Sequence, residues 1–149
     1  MGWLDALRGM TVAVDSAPFI YLIEKHPTYF ATVEAFFTAV QNGEIGCVTS
    51  TLTIAEVLVH PFRRGRMDLV SDYQEVLNAS PDIKAFAVTS DIAEAAAKLR
   101  ASFDLRTPDA IQIATALVSQ ASLFLTNDKK LTKVPGLKAL TVADAMALP

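Results

Sequence analysis

At 149 residues, 52% of them hydrophobic and with a mean hydropathy of +0.34, the chain can bury one sizeable core, which excludes a disordered tail or linker. A net charge of −3 and a pI near 5.3 exclude a globally basic nucleic-acid binder, so any hold on a polyanion must come from a local patch. The single cysteine, Cys47, excludes an internal disulfide and fits a reducing compartment.

The opening MGWLDALRGM has Asp5 where a basic n-region would stand and no apolar run behind it, so no signal peptide is expected. Ala6 breaks the myristoylation pattern. The first predicted strand is TVAV at 11–14. Next comes a helix in TYFATVEAFFTAVQNG, with Tyr29, Val33, Phe36, Phe37 and Val40 on one face and Asn42-Gly43 as its stop. IGCVT at 45–49 is the second strand, followed by a helix that carries Glu56 in TLTIAEVLV. IKAFAV at 83–88 is the third. DIAEAAAKLRASF then aligns Ile92, Ala96, Leu99 and Phe103, with Glu94 and Lys98 as an outer i,i+4 pair. RTPDAIQIATAL opens a buried helix, with Thr107 as its expected N-cap and Pro108 at its first position. SLFLT at 122–126 and LKALTV at 137–142 complete five strands. The long uncharged run behind Asp109 contains Gln112, Ser119 and Gln120, so it reads as a core helix plus a strand rather than a membrane span. Near-continuous apolar strands alternating with helices predict an α/β fold, a parallel sheet with helices on both faces, in one domain over 1–149. A soluble cytoplasmic protein is the expectation.

The strands run into polar residues: Asp15-Ser16, Thr49-Ser50-Thr51, Thr89-Ser90-Asp91 and Thr126-Asn127-Asp128. Ligands of open parallel sheets bind at such carboxyl ends. For Thr49-Ser50 and Thr89-Ser90 the plain reading, capping of the next helix, is preferred. Three acids stand alone in their segments: Asp15 between Gly9 and Ile23, Glu56 between Ile45 and Val59, and Asp109 between Thr107 and Asn127. An uncompensated buried carboxylate is disfavoured by several kcal/mol. No Lys or Arg close in sequence is expected to pair with them.

Each acid has an ordinary explanation: a strand-end cap for Asp15, a dipole-favoured first-turn acid for Asp109, a turn residue for Asp128. Glu56 has no such role. Four acids meeting at one sheet edge would repel one another unless a divalent cation held them, and Mg²⁺ or Mn²⁺ suits hard oxygen ligands. Zinc is not expected, because His26 and His60 are far apart and Cys47 is alone.

VAVDSAPFIYLIE, TSTLTIAEVLVHP, LRTPDAIQIATAL and FLTNDKKL, in this order along nearly the whole chain, resemble the PIN-domain nucleases, especially the VapC-like toxins of toxin–antitoxin pairs. The resemblance implies a three-layer α/β/α sandwich with a five-stranded parallel sheet. It also implies Mg²⁺- or Mn²⁺-dependent hydrolysis of RNA to leave a 5′-phosphate. Asp15, Glu56, Asp109 and Asp128 map onto the family's acidic quartet as catalytic residues and metal ligands. Asp15 and Asp109 would bind directly; Glu56 would bind metal or orient the attacking water; Asp128 would bind directly or through water. A cognate antitoxin and a homodimer are implied partners, with no membrane role. Ala17 departs from the family, where Ser or Asn is common, and Ser16 is the expected substitute in support of the site. Thr126 and Asn127 are further supporting candidates.

Arg63, Arg64 and Arg66 in HPFRRGRMD, with Lys129 and Lys130, are candidate RNA contacts, against the alternative of ordinary solvated surface. His60 reads as a helix-end residue and Cys47 as a small core residue. Tyr29, Phe30, Phe36 and Phe37 read as core rather than a base-stacking platform, with a dimer or antitoxin surface as the alternative for any exposed subset. Two other functions stay open from the residues: a PIN-fold protein that binds RNA or a partner without cleaving, and a Mg²⁺-binding receiver-type signalling domain. The latter needs paired acids after its first strand, where this chain has Asp15-Ser16.

Overall fold

The structure is a computed structural model and describes residues 2–149. Five parallel strands form one sheet in the order β3-β2-β1-β4-β5. They are β1 (Thr11–Val14), β2 (Gly46–Ser50), β3 (Ile83–Phe86), β4 (Leu123–Thr126) and β5 (Ala139–Thr141). All five were legible from their apolar runs. β3 and β5 are shorter than expected at their ends, as edge strands with one partner each. Receiver domains use the order 2-1-3-4-5, so this sheet excludes that alternative.

The alternation of side chains along each strand divides the core in two. Val12, Val14, Cys47, Leu123 and Leu125 face one side. There they meet Phe19 of α1 (Ser16–Ile23), Val33, Phe36, Phe37 and Val40 of α2 (Phe30–Gln41), and Val57 of α3 (Thr51–Val57). Gly43, at φ +77, ends α2 as expected. A short α4 (Val59–Arg63) and α5 (Met67–Gln74) follow, and α5 continues into a π-helical turn at Glu75–Ala79. Tyr73 and Leu77 from that stretch also enter this core.

Ala13, Val48 and Phe124 face the other side, under α6 (Ser90–Ser102) and α7 (Thr107–Val118). Ile113, Ala114 and Ala116 of α7 are fully buried there, and Ala96 and Ala110 let the two helices approach closely. α8 (Val142–Ala147) follows β5 and returns Val142 to the first core. The result is an α/β/α sandwich. Among the described residues no helix is long and apolar enough to cross a membrane.

Three local expectations need correction. Thr107 is the first helical residue of α7, and Arg106 is its N-cap, with no side-chain cap bond. The helix after β2 breaks at Leu58 into α3 and α4, just ahead of Pro61, whose ring lacks the N–H for a continuous helix. Glu94 and Lys98 face solvent, but the ion pairs among the described residues are Arg8–Asp5, Arg66–Asp68 and Arg106–Asp109. Ser50 and Thr89 cap α3 and α6 as expected, whereas Thr49 turns inward.

Candidate active site

β1 lies in the middle of the sheet, with β2 on one side and β4 on the other. The chain leaves β1 for β2 over the α1–α2 face and reaches β4 from the α6–α7 face. The carboxyl ends of β1 and β4 therefore flank the point where the winding reverses, and a crevice opens at such points. Asp15 stands at the first of these ends and Asp128 at the second.

Asp15 caps α1, its Oδ1 accepting the Ser16 amide at 2.8 Å, while its Oδ2 accepts the Thr126 hydroxyl at 2.7 Å. Burial pushes its carboxyl above the ordinary aspartate range. The Thr126 and Ser16 bonds oppose that rise, and the charges of Glu56 and Asp109 add to it. Two further acids thus stand near enough to act on Asp15 through their charge.

Glu56 sits on the exposed side of α3. Its Oε1 accepts the Ser16 hydroxyl at 2.7 Å and the Gln112 amide at 3.2 Å. Gln112, buried in α7, also donates to Thr53 at 2.9 Å. The Thr53 and Thr49 hydroxyls are 2.8 Å apart, and Thr49 donates to the carbonyl of Val14 at 2.7 Å. A continuous polar chain thus runs from the end of β1 through β2 and α3 to α7 and closes on Glu56. Gln112 and Thr53 carry no charge and sit among apolar residues, so sequence alone marked Gln112 only as a polar interruption of a core helix and did not mark Thr53.

Asp109, the third residue of α7, is 17% exposed at its side chain and accepts Arg106 Nε at 3.1 Å. The acid is therefore not without a local cation, contrary to the expectation from sequence. The i,i+3 spacing of Arg106 and Asp109 was the available signal. Asp109 holds the Arg106 guanidinium above its usual proton affinity, and Asp128 and Glu56 act in the same direction. Asp128 accepts the Lys130 amide at 3.0 Å, and its own amide donates to Thr126 at 3.1 Å. Thr126 therefore joins Asp15 to Asp128.

A cleft of about 710 Å³ lies beside these acids, lined by Arg100, Asp104, Leu105, Arg106, Asp109, Asp128, Lys130 and Leu131. Of the expected RNA contacts only Lys130 lines it. Lys129 is exposed close by, and Arg63 and Arg64 are exposed at the end of α4. Arg66 forms a two-pronged pair with Asp68, at 3.0 and 2.8 Å. Arg100 and Arg106 are cleft cations that the sequence reading did not select. Of the expected supporting residues, Ser16 and Thr126 touch the acids. Asn127 instead ties the Tyr21 hydroxyl at 2.9 Å to the Ala143 amide at 3.1 Å, holding α1 and α8.

Among the described residues no three His, Cys, Asp or Glu side chains stand close enough to hold a metal ion as they are placed. Glu56 is turned to Ser16 and Gln112, and Asp109 to Arg106. The donor set is nonetheless all carboxylate oxygen, the chemistry that suits Mg²⁺ or Mn²⁺. Mutual repulsion at Asp15 is what a cation would relieve, so the residues present fit such an ion.

A family model for the PIN domain matches residues 12–137. No curated protein matches the chain. Among solved structures, the fold is similar to VapC20 from Mycobacterium tuberculosis, described as a sarcin–ricin-loop-cleaving toxin. The TM-score is 0.68 at 15% identity, over 81% of this chain and 92% of that one. It is similar to a toxin–antitoxin complex from Klebsiella pneumoniae, with a TM-score of 0.66 at 22% identity over 88% and 97% of the two chains. It is also similar to VapBC2 from Rickettsia felis, bound to a DNA fragment from its promoter. There the TM-score is 0.67 at 14% identity over 89% and 98%.

Proposed function

The chain belongs to the PIN-domain family, and from that premise we propose that it is a divalent-metal-dependent endoribonuclease, the toxin of a toxin–antitoxin pair. The observation that carries the reading is Asp15. It is a carboxylate at the switch point of a parallel sheet, held by Thr126 and Ser16 and loaded by the charges of Glu56 and Asp109. The toxin–antitoxin complexes that share the fold support an antitoxin partner, and the RNA-loop-cleaving toxin among them supports RNA as the substrate. A homodimer in the cytoplasm completes the reading.

Asp15, Glu56, Asp109 and Asp128 would hold the ion. When bound, Mg²⁺ or Mn²⁺ lowers the pKa of water and offsets charge on a phosphate. The chain's own groups do the rest. Ser16 fixes Asp15 through its amide and Glu56 through its hydroxyl, so the two acids keep a set separation. Thr126 fixes the other oxygen of Asp15 and the turn that carries Asp128. Ser16 and Gln112 both hold one oxygen of Glu56, and its other oxygen, without a hydrogen bond among the described residues, would bind the ion or orient a water. Arg100, Arg106 and Lys130 are the cleft's candidate phosphate contacts, balanced in number by Asp104, Asp109 and Asp128, so a cation bound by the acids would tip the cleft positive.

The test is cleavage of a pool of structured and single-stranded RNAs by chain purified free of any partner, in Mg²⁺, Mn²⁺ and EDTA. The expected result is metal-dependent cutting that Asp109→Asn abolishes. Metal binding without cutting of any RNA would instead favour a PIN-fold binding protein.

A further inference from the structure

Arg106 and Arg66 both pair with an aspartate, but not in the same way. Arg66 grips Asp68 with two nitrogens. Arg106 reaches Asp109 with Nε alone, so among the described residues its two terminal nitrogens make no hydrogen bond and remain free to donate into the cleft. Its side chain is 78% exposed. Its backbone is fixed nonetheless, as the N-cap of α7 and next to Leu105, whose carbonyl accepts Arg100 Nε at 3.0 Å. The residue combines an anchored base with an exposed, half-used guanidinium lining the same cleft as Asp109 and Asp128.

Resting on the nuclease reading, we propose that Arg106 is a phosphate-binding residue with alternating partners. It pairs with Asp109 while no cation is bound, and turns to a phosphate of the RNA once a divalent cation takes the Asp109 oxygens. Two physical facts drive the exchange. One carboxylate oxygen cannot serve a guanidinium and a dication at full strength, and the two cations repel each other across a few ångströms. A released guanidinium is a planar fork suited to phosphate oxygens, and the cleft that Arg106 lines supplies Lys130 beside it. The pair thus masks an acid that would otherwise be uncompensated, and keeps a phosphate donor within reach of the place where the cation arrives.

The experiment compares the full-length wild type, Arg106→Gln and Arg106→Lys. Mn²⁺ binding is read from the paramagnetic resonance of the free ion. Affinity for a short fluorescein-labelled single-stranded RNA is read by anisotropy, in EDTA and in Ca²⁺. Removing the cation should tighten Mn²⁺ binding by about three- to tenfold. The same substitution should weaken RNA binding in Ca²⁺ by about three- to tenfold and by clearly less in EDTA, where Asp109 still holds Nε. Arg106→Lys keeps the charge and should hold Mn²⁺ as the wild type does. Unchanged or weaker Mn²⁺ binding in Arg106→Gln overturns the exchange, as does an equal loss of RNA affinity in EDTA and Ca²⁺. Should the wild type bind no Mn²⁺ at all, the nuclease reading fails and takes this inference with it. A wild type that binds both ligands beside an indifferent Arg106→Gln overturns this inference alone.

Discussion

Burial at the end of β1 leaves Asp15 with a proton affinity above that of an ordinary aspartate. Between the unfolded value of 3.8 and the raised native one, the native chain keeps a proton that the unfolded chain has released. The stabilising contribution of this residue therefore falls as pH rises through that interval, and at neutral pH its charge opposes folding. Thermal unfolding in EDTA should show Asp15→Asn melting above wild type at about pH 7, with the gain shrinking toward about pH 4. A variant that melts lower at every pH would show that the Thr126 and Ser16 bonds outweigh the burial. Cys47 gives a second check. Burial pushes its thiol up to about 12, so alkylation by iodoacetamide at pH 8 should be far slower in the native chain than after denaturation. Asp15, Glu56 and Asp109 drew notice because a charge in an apolar run is visible in any sequence, whereas Asp128, beside two lysines, was singled out only by its place after a strand and by the family resemblance. Arg106 was missed as the partner of Asp109 because an exposed arginine before a helix looks like solvated surface.

α7 does two jobs, and they depend on different faces. Ile113, Ala114 and Ala116 fill the layer above the sheet, while Gln112 turns toward α3 and holds Glu56 and Thr53. Gln112→Ala should cost about 1–3 kcal/mol of stability, read from urea unfolding, because Thr53 and Glu56 each lose a buried donor. It should also lower RNA cleavage by about 10- to 100-fold, since Glu56 loses its orientation. Activity equal to wild type would remove Gln112 from the site. The strands and their order along the chain could be read from β-forming apolar runs, and α2 from its aromatic stripe. The break between α3 and α4 and the start of α7 were less clear, because a proline and an N-cap shift boundaries by one or two residues without altering the periodic pattern. The chain from Val14 through Thr49, Thr53 and Gln112 was not legible at all. Its members are far apart in sequence and meet only when β1, β2, α3 and α7 are packed.

The sandwich places two cores around one sheet, and Phe124 of β4 is the largest fully buried side chain beneath α7. Phe124→Ala should destabilise the chain by about 3–5 kcal/mol, measured by urea unfolding. It should also loosen the Asp15–Thr126–Asp128 linkage that stands at the end of the same strand. A cost under about 1 kcal/mol would mean that the second core carries little of the stability. The fold brings four acids from four separate elements toward one edge, and their side chains are satisfied by Ser16, Gln112, Arg106, Thr126 and the Lys130 amide rather than by one another. The proposed function rests on a cation gathering them. The deciding measurement is calorimetric titration of the partner-free chain with Mn²⁺, alongside Asp15→Asn and Asp109→Asn. A shared site predicts binding to the wild type that each substitution weakens by about tenfold or more. Wild-type affinity in both variants would contradict it, leaving Asp15 as a helix cap and Asp109 as the partner of Arg106.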